Sequence, residues 1–110
     1  KDIKISSFIL RKQILKDLPP KELRKIVDKS KNEIKEGIVV GFSIFEDKVG
    51  VAVGITKNLL KMYDAVFLVK IASAILGGSG GGGRKDFAQA GGVDKNKIDS
   101  AFDELSKKIN

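Results

Sequence analysis

Between Gly77 and Gly92 the chain reads GGSGGGGRKDFAQAGG, eight glycines and one basic pair set between two apolar segments. Each glycine loses more backbone freedom on folding than any other residue. A cluster this dense therefore persists where positive φ or close backbone approach is required. The adjoining Arg84 and Lys85 point to an anion as the approaching group, with exposed backbone N–H groups of the glycines forming a concave site beside the two charges. A flexible tether, with Gly77 as an ordinary helix C-cap, is the alternative reading of the same residues.

Two familiar phosphate motifs do not fit. Gly78-x-Gly80-x-x-Gly83 matches the dinucleotide pattern, but that pattern works when a strand precedes it and a helix N-terminus receives the pyrophosphate. Here the preceding segment reads as helix, whose carboxyl end presents partial negative charge. The P-loop fails as well, because Arg84-Lys85-Asp86 supplies neither the lysine nor the hydroxyl in register.

At 110 residues and 42% hydrophobic content the chain supports one core, so residues 1–110 are expected to form a single globular domain. Lys1 is not methionine and apolar alternation begins at once, so the chain reads as a piece of a longer polypeptide. With no cysteine and no histidine, thiol nucleophiles, imidazole acid/base chemistry and the usual zinc ligands are excluded. The fourteen Asp and Glu residues are scattered among lysines without a catalytic pair, so no catalytic residue, metal or cofactor is expected in this chain. Lack of cysteine fits a reducing cytoplasm. The longest apolar run, Ala65 to Leu76, is interrupted by Lys70 and falls short of the roughly 20 residues of a membrane span. The net charge of +7 favours a polyanionic partner, and residues 1 to 36 hold eleven Lys/Arg against six Asp/Glu. Lysine- and isoleucine-rich composition is also what heat-adapted proteins use, and the two readings are compatible.

Alternation of Ile3, Ile5 and Phe8 to Leu10 predicts a first strand over Lys1 to Leu10. Leu23, Ile26, Val27 and Ile34 predict an amphipathic helix from Pro20 to Glu36, with Lys21, Arg24, Lys25, Lys31 and Lys35 as a basic stripe on its opposite side. A hairpin follows, Ile38 to Phe45 and Val49 to Ile55, turning at Glu46-Asp47-Lys48. Its second strand points Val49, Val51, Val53 and Ile55 one way and Gly50, Ala52 and Gly54 the other, where a helix can approach closely. Lys57 to Leu76 reads as one helix, apolar all round after Asp64 and so buried. Phe87 to Ala90 reads as a short edge strand, and Asp94 as the N-cap of a last helix stapled by Val93 and Ile98. The order β-α-β-β-α-β-α predicts a mixed α/β fold, one sheet covered by helices.

GGGGRKDFAQAGG resembles the glycine-rich signature near the carboxyl terminus of the alanyl-tRNA synthetase family, typically GGGGRPDMAQAGG. The resemblance extends to Gly54-Ile55-Thr56-Lys57, similar to the family's G-V-T-K at the end of a strand, and covers nearly the whole chain. Lys85 departs from the usual proline and Phe87 from the usual methionine, which adds a charge while loosening the turn. The resemblance implies the DHH-associated fold, shared with phosphodiesterases and RecJ-type exonucleases in which the glycines lead into histidine. Arg84 stands in the comparable place, keeping a cationic donor but no titratable group, which favours binding over hydrolysis.

In the synthetase family this carboxyl-terminal domain is non-catalytic and binds tRNA at the outer elbow, helping present it to the aminoacylation and editing sites. The resemblance thus implies tRNA and the other synthetase domains as partners, with homodimerisation as a further role. ATP and zinc are implied for the whole synthetase, and neither ligand set can be placed on these residues. Gly80, Gly81, Gly82, Gly83, Arg84 and Lys85 are the expected tRNA contacts, with Lys57 by family match and Lys21, Arg24, Lys25 and Lys31 from charge alone. One tyrosine and no tryptophan limit base stacking, so binding is expected to rest on phosphate and shape. Two other classes remain open: the substrate-binding half of a DHH-type phosphodiesterase or editing hydrolase, and a dimerisation module.

Overall fold

Val49, Val51, Val53 and Ile55 alternate with Gly50, Ala52 and Gly54, and this alternation sets the two faces of the sheet. The valine row faces the larger core, while the near-absent side chains let a helix lie against the other face. The computed structural model, which describes residues 1–5 and 7–109, builds six strands around that segment. In chain order the elements are β1 (Asp2–Ile5), β2 (Phe8–Lys16), α1 (Pro20–Ile34), β3 (Gly37–Phe45), β4 (Lys48–Ile55), α2 (Ala65–Ile75), β5 (Gly81–Gly83), β6 (Phe87–Gly92) and α3 (Ile98–Ile109). Short 3-10 turns stand at Lys57–Leu59 and Lys95–Lys97. The strand order is β1-β2-β3-β4-β6-β5, with β2 and β3 parallel and every other pair antiparallel. Helix α1 covers one face, α2 and α3 the other, so the expected mixed sheet covered by helices is what forms.

Helix α1 starts on Pro20, whose fixed φ suits the first turn, and ends where Lys35 adopts a φ of 65°. Its Leu23 and Val27 are fully buried, each worth about 1.5–3 kcal/mol relative to exposure. Contact with β4 is as close as glycine permits at Gly54, where a Cβ would lie 2.6 Å from Lys31 Cδ and 2.7 Å from Val27 Cγ1; at Gly50 a Cβ would instead lie 2.6 Å from Ser43 Oγ on the neighbouring β3. The β3–β4 turn is tighter than its composition indicates. Lys48 already pairs with Phe45, and Glu46 and Asp47 carry the positive φ values of 50° and 63°.

Two strands are added to the expected order. The single first strand is a hairpin, β1 pairing with β2 from Asp2↔Arg11 to Ile5↔Phe8; Ser6, within that expected strand, and Asn110, within the expected domain, lie outside the described residues. Polar Arg11, Lys12 and Gln13 interrupt the alternation, yet β2 runs on to Lys16 because its charges are matched. Arg11 bonds Asp2 at 2.7 Å and Glu33 at 2.5 Å, and Lys12 lies 4.9 Å from the Phe102 ring centroid and 2.9 Å from Asp99. The second addition is β5, built from the glycines themselves. It takes the sheet edge and makes β6 an internal strand.

The segment expected as one helix from Lys57 to Leu76 is divided. Asp64 leaves helical geometry and accepts a hydrogen bond from the Val66 amide at 2.9 Å, so it opens α2 anew. Nor is α2 buried all round, since Phe67 and Lys70 are exposed. Asp94 caps the 3-10 turn that precedes α3, by accepting from Asn96 N, and Val93 remains exposed beside Gly77 instead of stapling the helix.

Candidate nucleic-acid interface

The Arg84–Phe87 turn joins β5 to β6 and is closed by a 2.7 Å bond from Arg84 N to Phe87 O. Three elements hold it. Ile55 N at the end of β4 donates to Asp86 O at 2.8 Å, Ala65 N at the start of α2 donates to Lys85 O at 2.9 Å, and Lys31 Nζ on α1 reaches Asp86 O at 3.4 Å. Arg84 and Lys85 therefore project from a fixed turn at the sheet edge. The tether reading fails here, because Gly81–Gly83 is paired with Ala90, Gln89 and Ala88.

Asp86 orients Arg84, accepting from its Nε at 3.2 Å and leaving the terminal guanidinium nitrogens outward on a side chain 65% exposed. Burial alone would raise the Asp86 carboxyl. The Arg84 hydrogen bond and charge, with the Lys31 charge and a backbone bond, outweigh it and hold the group below the ordinary 3.8. Lys57 follows Thr56, whose backbone and side chain both bond Gly37, the first with its N–H to Gly37 O at 3.0 Å and the second with Oγ1 accepting from Gly37 N at 2.9 Å. That pair fixes Lys57 at the same end of the sheet as the Arg84 turn.

Not every expected residue converges. Lys31 reaches the turn, and Arg24 packs 4.6 Å from the Phe87 ring centroid while pairing with Asp28 at 3.6 Å. Lys21 and Lys25 are exposed near the other end of α1, Lys25 being 3.5 Å from Glu22, and no bond ties either to the turn among the described residues. Lys85 opens onto a cleft of about 300 Å³ shared with Lys61, Asp64, Phe67 and Lys108. Lys61, Lys108 and the orienting Asp86 were not legible as site residues. Only the Arg-x-Asp spacing of Arg84 and Asp86 carried a signal for the last.

The glycines divide by what surrounds them. Several amides of the segment are bonded within the chain: Gly78 N donates to Ser73 O at 2.8 Å, Gly80 N to Ser73 Oγ at 3.1 Å, and Arg84 N to Phe87 O. Ser73, buried on α2, donates in turn to Gly91 O at 2.6 Å, which locks the glycine segment to β6. A Cβ at Gly81 or Gly83 would strike β6 backbone within 2.5 Å, so close strand packing demands those two. At Gly80 and Gly82 a Cβ would meet nothing within 4 Å. Gly80 needs its φ of 104°, whereas Gly82 has neither positive φ nor a neighbour to explain it.

A basic, glycine-edged sheet end of this kind has relatives. The DHHA1 domain model matches residues 7–110. The chain belongs to the DHHA1 domain family. Its relatives include an alanine–tRNA ligase of Parvibaculum lavamentivorans, 46% identical over 96 residues, and one of Hyphomonas neptunium, 51% identical over 83 residues. Those matches cover 86% and 76% of this chain but only 11% and 9% of the relatives, so the DHHA1 domain spans about a tenth of their length. The crystal structure of the C-Ala domain from Aquifex aeolicus alanyl-tRNA synthetase superposes with a TM-score of 0.90 at 29% identity, covering 98% of this chain and 96% of that one. The resemblance carried by GGGGRKDFAQAGG therefore extends over the domain as a whole. Among the described residues no three His, Cys, Asp or Glu side chains converge as a metal site. Nor is any helix among the described residues long and apolar enough to cross a membrane.

Proposed function

We propose that this chain is the non-catalytic carboxyl-terminal domain of an ATP-dependent alanine–tRNA ligase, and that it binds tRNA in the cytoplasm, at the elbow, to help present it to the aminoacylation and editing sites. The observation that supports it most is the convergence of Arg84, Lys85, Lys57 and Lys31 at one end of the sheet, beside an edge strand where Gly82 is left open to a partner. Such a surface neutralises phosphates without reading bases, so the domain contributes affinity and position and discriminates weakly among tRNAs. Arg84 supplies outward donors in fixed geometry, Lys85 and Lys57 supply point charge, and Gly80 and Gly82 admit the RNA backbone closely.

Titration with a folded tRNA transcript across a salt series tests this reading. Binding should weaken by roughly 0.7 to 0.9 in logarithmic slope for each phosphate contacted. An Arg84→Ala, Lys85→Ala variant should lose about tenfold or more in affinity and shed one to two units of that slope. Binding that ignores both the RNA fold and the variant would overturn it.

A further inference from the structure

We propose that Phe67 is a stacking platform for a nucleobase of the bound RNA, with Lys61, Lys85 and Lys108 receiving the flanking phosphates. The inference rests on the tRNA-binding reading and deepens it. Among the described residues Phe67 is the one exposed aromatic ring, 56% accessible in the solvated face of α2, and Met62 beside it is 69% accessible. Both line the cleft into which Lys85 opens, so the apolar surface adjoins the proposed phosphate contacts. Tyr63, the other ring at the cleft, is committed internally: its hydroxyl donates to Ile109 O at 2.5 Å, and its ring meets Phe8 edge-on at 5.9 Å.

The chemistry of the rim selects the occupant. Three lysines surround the ring, none ion-paired to another described residue, and the one carboxylate, Asp64, is turned to the Val66 amide. A second copy seated two-fold on this cleft would bring the same lysines face to face, whereas RNA supplies the opposite charge and a flat partner for the ring. Loop nucleotides of a folded RNA can be splayed out to meet such a ring. Continuity with the glycine edge supports one ligand for both. Lys70 and Ala74, three and seven residues on from Phe67 along the same exposed face of α2, line the cleft that contains Gly78 to Gly81, about 10 Å away along the helix axis.

The test compares Phe67→Leu, Phe67→Tyr and Lys61→Ala with the unaltered chain, titrating a folded tRNA transcript across a salt series and recording thermal melting alongside. Because Phe67 is exposed, all three variants should melt like the parent. Phe67→Leu should lose roughly 5- to 100-fold in affinity with the salt slope unchanged, as loss of one base–aromatic stack predicts, while Phe67→Tyr keeps the parent affinity. Lys61→Ala should lose less affinity and reduce the slope by roughly 0.7 to 0.9. If Arg84→Ala, Lys85→Ala weakens binding but Phe67→Leu does not, the stacking site is overturned and the tRNA reading stands. If the unaltered chain binds no tRNA, both fall. A Phe67→Leu effect confined to self-association, read by sedimentation, would replace the RNA with a second copy and overturn the proposal.

Discussion

In β4, Gly50 and Gly54 face α1 and a Cβ at either would come within 2.6 Å of a neighbouring side chain, whereas in β5 a Cβ at Gly82 would meet nothing within 4 Å. The first pair is explained by the fold: at Gly54 α1 cannot pack so closely on any other residue, and at Gly50 a side chain would strike Ser43 on β3. Gly82 is not, although glycine in a strand costs about 0.5–1 kcal/mol relative to alanine. Its neighbours Gly81 and Gly83 fall on the β4 side of the comparison, pressed against β6. Glycine density alone therefore does not mark a binding surface. Gly82, whose missing side chain serves nothing inside the chain and which lies two residues before Arg84, is the glycine on which the proposed binding edge rests.

The comparison can be broken at three points of decreasing effect. Gly54→Val should be the most damaging, since Val27 cannot retreat as Lys31 can. Overpacking of this kind costs about 1–3 kcal/mol, measurable by urea denaturation, and an unchanged midpoint would mean that α1 is not held by the glycine row. Gly81→Ala should cost about 1 kcal/mol, because its Cβ would lie 2.2 Å from Gln89 O yet only a three-residue edge strand must yield. Hydrogen exchange should show β5 amides losing protection while β4 keeps it. The smallest effect is electrostatic. Asp86 is held below 3.8, so its pairing with Arg84 is fully present above that pH and is lost as the pH falls through the lowered value. In Arg84→Ala the Asp86 carboxyl should titrate at higher pH by NMR, because burial is then less opposed, and an unmoved value would show that Arg84 does not hold it.

Legibility in the sequence followed the same division. The period-two valines of β4 and the amphipathic run of α1 gave the sheet faces and the covering helix correctly, because apolar periodicity reports burial directly. β2 was cut short at Leu10, since Arg11 and Lys12 look like solvated surface until Asp2, Glu33 and Asp99 are brought to them from elsewhere in the chain. β5 was invisible, because glycine has no strand preference and its pairing is imposed by β6. The glycine motif and its resemblance single out Arg84, Lys85 and Lys57, and the structure brings these three to one end of the sheet. The cleft around Phe67 was not legible, because an aromatic ring in an apolar run reads as core, whereas Phe67 shares the exposed face of α2 with Lys70 and Ala74.

The most direct test is a single residue, Gly82→Val, with thermal melting and tRNA affinity measured on the same preparation. At an exposed edge position with open space beyond the Cβ, valine should leave the melting temperature unchanged or raise it, since a β-branched residue suits a strand better than glycine. The affinity for folded tRNA should nevertheless fall about tenfold or more, because the new side chain would stand where the RNA backbone is proposed to approach. Melting and affinity both unchanged would contradict the account and leave Gly82 without a role in binding.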